Sequence, residues 1–295
     1  TPWWHLSRQL VMKYSKSNGM NNNQIEMVIS DLDGTLFNEQ QEVEKKDLQT
    51  LQQLSKYNII RTIATGRNLF SARRKLSPDF PIDYLIFSSG AGIFDWKAQK
   101  LIHSDYLPKN KVKLISYFLI EHQVDFMIHE MVPDNHKFVY YKSPRENPDF
   151  NRRFELYKDF AEPLDLNLET FQHASQILAI PTNSPDFHNF IQKQMQDVKI
   201  IRATSPLDGM TIWVEIFPKN VSKGHGSDWL CKYTNTNPLN TLGIGNDYND
   251  LDLLDFTGYS FIVENAPHEM KRTYHSCKSN QQCGFSDAVN KVLSL

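Results

Sequence analysis

Short apolar runs that stop abruptly at polar or glycine-rich residues alternate along this chain with stretches of helical periodicity. The first run, Glu26-Met27-Val28-Ile29-Ser30, ends at Asp31. Val43, Leu48, Leu51 and Leu54 then share one face of a helix, with charged residues between them. A second run, Ile59 to Ala64, ends in Thr65-Gly66-Arg67, and a third, Tyr84 to Phe87, ends in Ser88-Ser89-Gly90-Ala91-Gly92. Unbroken apolar runs separated by helices predict parallel strands buried on both faces, joined by helical crossovers.

The rhythm changes from about Lys109 to Pro218. A helix over Val112–His122 precedes strands at Val124–Ile128 and Lys137–Tyr141, and a proline-rich, charged stretch over Ser143–Pro163, given no predicted element, follows. A strand at Gln176–Ile180, a helix over Asp186–Gln196 and strands at Lys199–Ala203 and Thr211–Phe217 complete the block. Its strands come in neighbouring pairs, the mark of an α+β domain. The first rhythm then resumes with a helix over Ser222–Tyr233, a strand at Thr241–Gly245, a helix near Asp250–Asp255, a strand at Tyr259–Val263 and helices to the end. The expected organisation is a leader or extension over 1–24, a discontinuous α/β core over 25–108 and 219–295, and an α+β domain over 109–218 inserted into it.

Composition narrows the functional classes. The 295 residues carry 32 Lys plus Arg against 34 Asp plus Glu, a net charge of −2, which argues against a general electrostatic grip on nucleic acid or an anionic membrane. With 40% hydrophobic and 12% aromatic residues, the chain is expected to fold into a soluble globular protein. No apolar run approaches the ~18–20 residues of a membrane helix. Cys231, Cys277 and Cys283 are too few for a disulfide framework and read as reduced thiols of a cytoplasmic protein.

The candidate chemistry sits where the apolar runs stop. Asp31-Leu32-Asp33-Gly34-Thr35-Leu36, Thr65-Gly66-Arg67 and Gly245-Asn246-Asp247-Tyr248-Asn249-Asp250 each follow a predicted strand. In open α/β sheets ligands bind beyond the carboxyl ends of the strands, so these loops should converge. Asp31 and Asp33, two positions apart, point the same way in extended chain. A divalent cation would relieve their repulsion, and hard oxygen ligands suit Mg²⁺. One carboxylate could then serve as nucleophile and the other as general acid and base.

On these motifs the sequence resembles the haloacid dehalogenase superfamily of aspartate-nucleophile phosphatases, and within it the Cof-type branch with a large inserted cap (subfamily IIB). Asp31 to Thr35 matches the nucleophile motif, Thr65-Gly66-Arg67 the second, Val221-Ser222-Lys223-Gly224 the lysine motif and Gly245 to Asp250 the acidic motif. Phe261 to Ala266 resembles the family's final strand. The resemblance implies a Rossmann-like, doubly wound parallel sheet with an α+β cap that selects the substrate. It implies Asp31 as nucleophile, Asp33 as general acid and base, and Thr65, Leu32, Gly66, Asn249 and Lys223 around the phosphoryl group. Mg²⁺ would be held by Asp31, Asp33 and the acidic loop of Asn246, Asp247 and Asp250. Arg67 could either grip the substrate or pair with a carboxylate.

Two positions depart from the family pattern. The acidic motif usually begins Gly-Asp, whereas here Asn246 follows Gly245, so that metal affinity is affected more than reaction type. Ser88-Ser89-Gly90-Ala91 stands where Asn-Gly-Ala is usual, with little consequence expected. Rival motifs fail: Asp95 and Tyr248 occupy places where a dinucleotide-binding loop needs glycine, and Pro133 and Arg272 stand where a zinc-protease helix needs histidine. The expected activity is hydrolysis of a small phosphorylated metabolite, most often a sugar phosphate, without nucleic-acid or membrane partners. A phosphosugar mutase and a non-catalytic phosphate-ligand-binding relative are the alternatives.

Overall fold

The computed structural model describes residues 25–166, 172–182, 186–205 and 207–293; the expected leader over 1–24 lies outside them. The chain begins with β1 (Met27–Ser30), α1 (Lys45–Lys56), β2 (Ile60–Ala64), α2 (Leu69–Arg73), β3 (Tyr84–Phe87), β4 (Gly92–Asp95) and β5 (Lys100–Ser104). It continues with β6 (Leu107–Pro108), α3 (Lys109–Glu121), β7 (Asp125–His129), β8 (Phe138–Tyr141), α4 (Pro148–Tyr157), β9 (Ala161–Pro163) and β10 (His173–Ala174). Then come β11 (Gln176–Ile180), α5 (Phe187–Gln194), β12 (Val198–Thr204) and β13 (Ile212–Pro218). It closes with α6 (Lys223–Thr234), β14 (Thr241–Gly245), α7 (Leu251–Phe256), β15 (Tyr259–Val263), α8 (His268–Lys271), β16 (His275–Cys277) and α9 (Gly284–Leu293).

The chain divides into two compact units, one comprising 1–67, 73–102 and 222–295 and the other 68–72 and 103–221. The second thus begins at His103 rather than at the expected Lys109, runs to Val221 rather than Pro218, and takes in Asn68–Ala72. The first unit is built on an eight-stranded sheet of order β16-β15-β14-β1-β2-β3-β4-β5. From β16 to β3 every pairing is parallel, and β4 runs antiparallel to β3. This is the expected doubly wound core, with the strand order reversing between β1 and β14. Met27 and Ile29 of β1 pack with Leu230, Cys231, Leu253 and Phe256 from α6 and α7. On α1 and α9, Thr50 Oγ1 and Ser286 Oγ meet at 2.8 Å. Burial on both faces explains why these strands are continuous apolar runs.

The second unit carries a six-stranded sheet of order β12-β13-β11-β7-β8-β9, antiparallel except for the β8–β9 pair. Phe126, Ile128, Ile177 and Ala179 pack with Val112, Ile115 and Leu119 of α3 and Phe187 and Ile191 of α5. Met127, Leu178 and Trp213 belong to a second cluster with Phe150 of α4.

Two sequence expectations need correction. The stretch over Ser143–Pro163 contains α4, which starts with Asn147 Oδ1 accepting from Phe150 N at 3.2 Å and with Pro148 in the first turn. Proline there lacks only an N–H that the helix start would leave unpaired anyway, so it marks a beginning and not an interruption. The tail is not wholly helical either: His275–Cys277 forms the parallel edge strand β16, too short and polar to leave a periodic trace.

Candidate active site

Strand register brings three of the singled-out loops together at the carboxyl ends of the central strands. Ser30 pairs with Ile244 on one side and Ile63 on the other, so Asp31, Gly245 and Ala64 leave the sheet side by side. Asp31 N donates to Ile244 O at 2.9 Å and Thr65 N to Ile86 O at 2.8 Å, which continues the ladder into the loops. Lys223 arrives from α6, whose start is capped by Ser222 Oγ accepting from His225 N at 3.2 Å.

The centre is a buried ion triad. Lys223 Nζ donates to Asp31 Oδ1 and to Asp250 Oδ1, both at 2.6 Å, and all three side chains are shielded from solvent. Burial raises the Asp31 carboxyl to about 7, while Lys223 pulls it down. For Lys223 burial works downward and is outweighed by Asp250 and Asp31, so the ammonium is held charged. The other oxygen of Asp250 accepts from Asn246 N at 2.9 Å and Asp247 N at 3.1 Å. Both Asp250 oxygens are therefore engaged, and this residue braces the acidic loop from behind. Asp247 Oδ1 caps Tyr248 N at 2.8 Å, and Asn249 lies in the turn that follows.

Asp33 has a different partner. Arg67 holds its carboxylate in a fork, Nε to Oδ2 at 2.7 Å and Nη2 to Oδ1 at 2.6 Å, so Arg67 takes the carboxylate-pairing option in this structure. Thr65 is buried, and its Oγ1 accepts from Arg67 N at 3.1 Å. Leu32 is buried, and its carbonyl accepts from Phe37 N at 2.7 Å, which closes the turn after Asp31.

Asn246 reaches the space between Asp31 and Asp33. With its amide nitrogen turned to the surrounding acceptors, it donates to Asp31 Oδ2 at 3.1 Å, Asp33 O at 3.2 Å and Thr35 Oγ1 at 3.1 Å. Gly34, at φ +76°, makes room: a Cβ there would stand 2.6 Å from the Asn246 amide. An Asp31 oxygen, the Asp33 carbonyl and the Asn246 side chain thus converge, and reversing the amide would add a third oxygen. Such a hard-oxygen set fits Mg²⁺, which needs few protein ligands and keeps several waters. It contains a single carboxylate; among the described residues no group of three or more His, Cys, Asp or Glu side chains is placed to hold a metal. Thr35 was not singled out for a role by its sequence position, because its contact with Asn246 spans 211 positions.

Known proteins resemble this chain in sequence and in fold. The model of the haloacid dehalogenase-like hydrolases matches residues 28–289. The 5-amino-6-(5-phospho-D-ribitylamino)uracil phosphatase of Bacillus subtilis is 24% identical over 286 residues, covering 90% of this chain and 96% of its own. An HMP-PP phosphatase of Escherichia coli is 24% identical over 241 residues, covering 82% of this chain and 85% of its own. In fold, a phosphatase of the same superfamily from Bacteroides thetaiotaomicron superposes with a TM-score of 0.78 at 15% identity, covering 95% of this chain and 100% of its own.

Proposed function

The chain belongs to the haloacid dehalogenase-like hydrolases, and from that premise we propose that it is a Mg²⁺-dependent phosphatase of a small phosphorylated metabolite, a sugar phosphate first among them. The observation that carries this reading is the buried contact of Lys223 with Asp31 at 2.6 Å. A carboxylate at the carboxyl end of a parallel strand, held in place by a shielded ammonium, is an oriented nucleophile.

In this reading an Asp31 oxygen attacks phosphorus while the bond to the leaving oxygen breaks, giving an aspartyl-phosphate and, after protonation by Asp33, the free alcohol. Asp33 then takes a proton from the water that attacks phosphorus, which releases inorganic phosphate and restores Asp31. Thr65, Lys223 and the amides of Leu32 and Gly66 bind the phosphoryl oxygens, with Asn249 beside them. Arg67 holds Asp33 in one orientation for this proton transfer through its two hydrogen bonds. Asp31, the Asp33 carbonyl and Asn246 would hold Mg²⁺, which supplies charge neutralisation at the phosphoryl group when bound.

The test is phosphate release from a panel of phosphorylated metabolites, with Mg²⁺ and with EDTA, for wild type and Asp31→Asn. Release from one or a few small substrates, lost in EDTA and in the variant, is expected. A folded wild-type protein that releases no phosphate from any of them, or an equally active Asp31→Asn, overturns the reading.

A further inference from the structure

The turn after β3 is strained at two consecutive residues that carry side chains. Ser88 has φ 49° and Ser89 has φ 54° and ψ 21°, followed by Gly90 at φ 106°. Left-handed backbone is unfavourable for residues with a β-carbon, and such strain persists only where its surroundings enforce it. Here both neighbours of the turn belong to the candidate site. On one side Ser88 N donates to Arg67 O at 2.8 Å and Ser89 N to Thr65 O at 3.0 Å. On the other, Gly90 lies so close to the start of α6 that a Cβ on it would collide with the Ser222 backbone, one residue before Lys223.

The Ser89 hydroxyl adds a second observation. It is buried and has no hydrogen-bond partner among the described residues, and it stands 3.6 Å from where a Cβ on Gly66 would be. A buried hydroxyl without a partner is unfavourable, and so is its left-handed backbone; glycine at this position would remove both. The hydroxyl backs the glycine whose amide is assigned to the phosphoryl group.

We infer that Ser89 is a positioning residue: the left-handed Ser88–Gly90 turn is a strut that sets the spacing between the Thr65–Gly66–Arg67 loop and Lys223. This rests on the phosphatase reading, because the spacing matters only if both elements hold one phosphoryl group. The strut acts through the backbone of Thr65 and Arg67 on one side and of Ser222 on the other, without touching substrate itself.

The experiment compares wild type, Ser89→Gly and Ser89→Asn for binding of inorganic phosphate by calorimetry, together with melting temperature and, once a substrate is found, kcat and KM. Glycine relieves the strain but frees the backbone and removes the hydroxyl behind Gly66; asparagine tolerates the left-handed region and keeps a polar group there. Ser89→Gly should melt no lower than wild type yet bind phosphate about tenfold more weakly, the scale of one misplaced hydrogen bond to a charged group. Ser89→Asn should stay within about threefold of wild type. Unchanged phosphate binding in Ser89→Gly overturns the inference while leaving the phosphatase reading intact. A weakened binding that tracks a lowered melting temperature also overturns it, since that marks a general structural role. Failure of wild type to bind phosphate counts against the phosphatase reading and takes this inference with it.

Discussion

Arg67 and Asp33 are joined by two parallel hydrogen bonds, Nε to Oδ2 at 2.7 Å and Nη2 to Oδ1 at 2.6 Å. A planar guanidinium matches a carboxylate in this way, whereas an ammonium cannot. The residue assigned to proton transfer is thus held in one orientation by the residue that follows Thr65-Gly66. Asp33 keeps 45% of its side chain exposed and Arg67 17%, so solvent screens the pair and its value lies in orientation more than stability.

Replacing Arg67 should therefore separate activity from stability. Arg67→Ala and Arg67→Lys are both expected to lower kcat/KM by about tenfold or more, because lysine cannot restore the fork. Their melting temperatures should stay within a few degrees of wild type. A lysine variant with full kcat/KM would show that the fork is not needed.

Asp31→Asn should lower turnover by at least about a thousandfold, equivalent to ~4 kcal/mol of barrier, because an amide does not attack phosphorus. Its carbonyl can still accept from Lys223, so circular dichroism should report an intact fold. Turnover within about tenfold of wild type would remove Asp31 from the nucleophile role.

With its nitrogen turned to them, the Asn246 amide donates to the Asp31, Asp33 and Thr35 oxygens, which would otherwise repel one another. Asn246→Asp should reverse this, lowering the melting temperature in EDTA and tightening Mg²⁺ binding by about tenfold through the added charge. Calorimetric titration with Mg²⁺ and thermal melts with and without EDTA read both effects. If neither changes, and Asp247→Ala abolishes metal binding, the ligand is Asp247.

In the second unit His129 is buried, and its Nδ1–H donates to Asn135 O at 2.8 Å. Burial, with smaller contributions from Arg153 of α4 and from His136, pushes its pKa down from 6.5 to about 3. The folded protein keeps this ring neutral where the unfolded chain protonates it. Its contribution to stability is therefore complete above pH 6.5 and declines as the pH falls from 6.5 towards 3, by about 1.4 kcal/mol per pH unit for one proton. Urea unfolding at pH 7 and pH 5 should show this slope in wild type and a shallower one in His129→Phe. Equal slopes would assign the acid sensitivity to other groups.

The fold class and the convergence of the candidate loops were legible in the sequence because both rest on local patterns. An apolar run that ends in Asp-Leu-Asp-Gly-Thr, or in Thr-Gly-Arg, announces a buried strand and what leaves its carboxyl end without reference to distant residues. Strand pairing then follows from the general rules for parallel sheets, and it brings Asp31, Thr65 and Asn246 together beyond the carboxyl ends of neighbouring strands. What the tertiary structure alone decided are contacts between residues far apart in the chain. Arg67 and Asp33 are 34 positions apart and Lys223 and Asp31 are 192, and no periodicity says which oxygen each cation will take. The engagement of both Asp250 oxygens, the amide of Asn246 between Asp31 and Asp33, and the left-handed backbone at Ser88 and Ser89 are likewise set by surroundings. A side chain's type limits the bonds it can form, but its partner is chosen only when folding brings donors and acceptors from separate loops into one buried space.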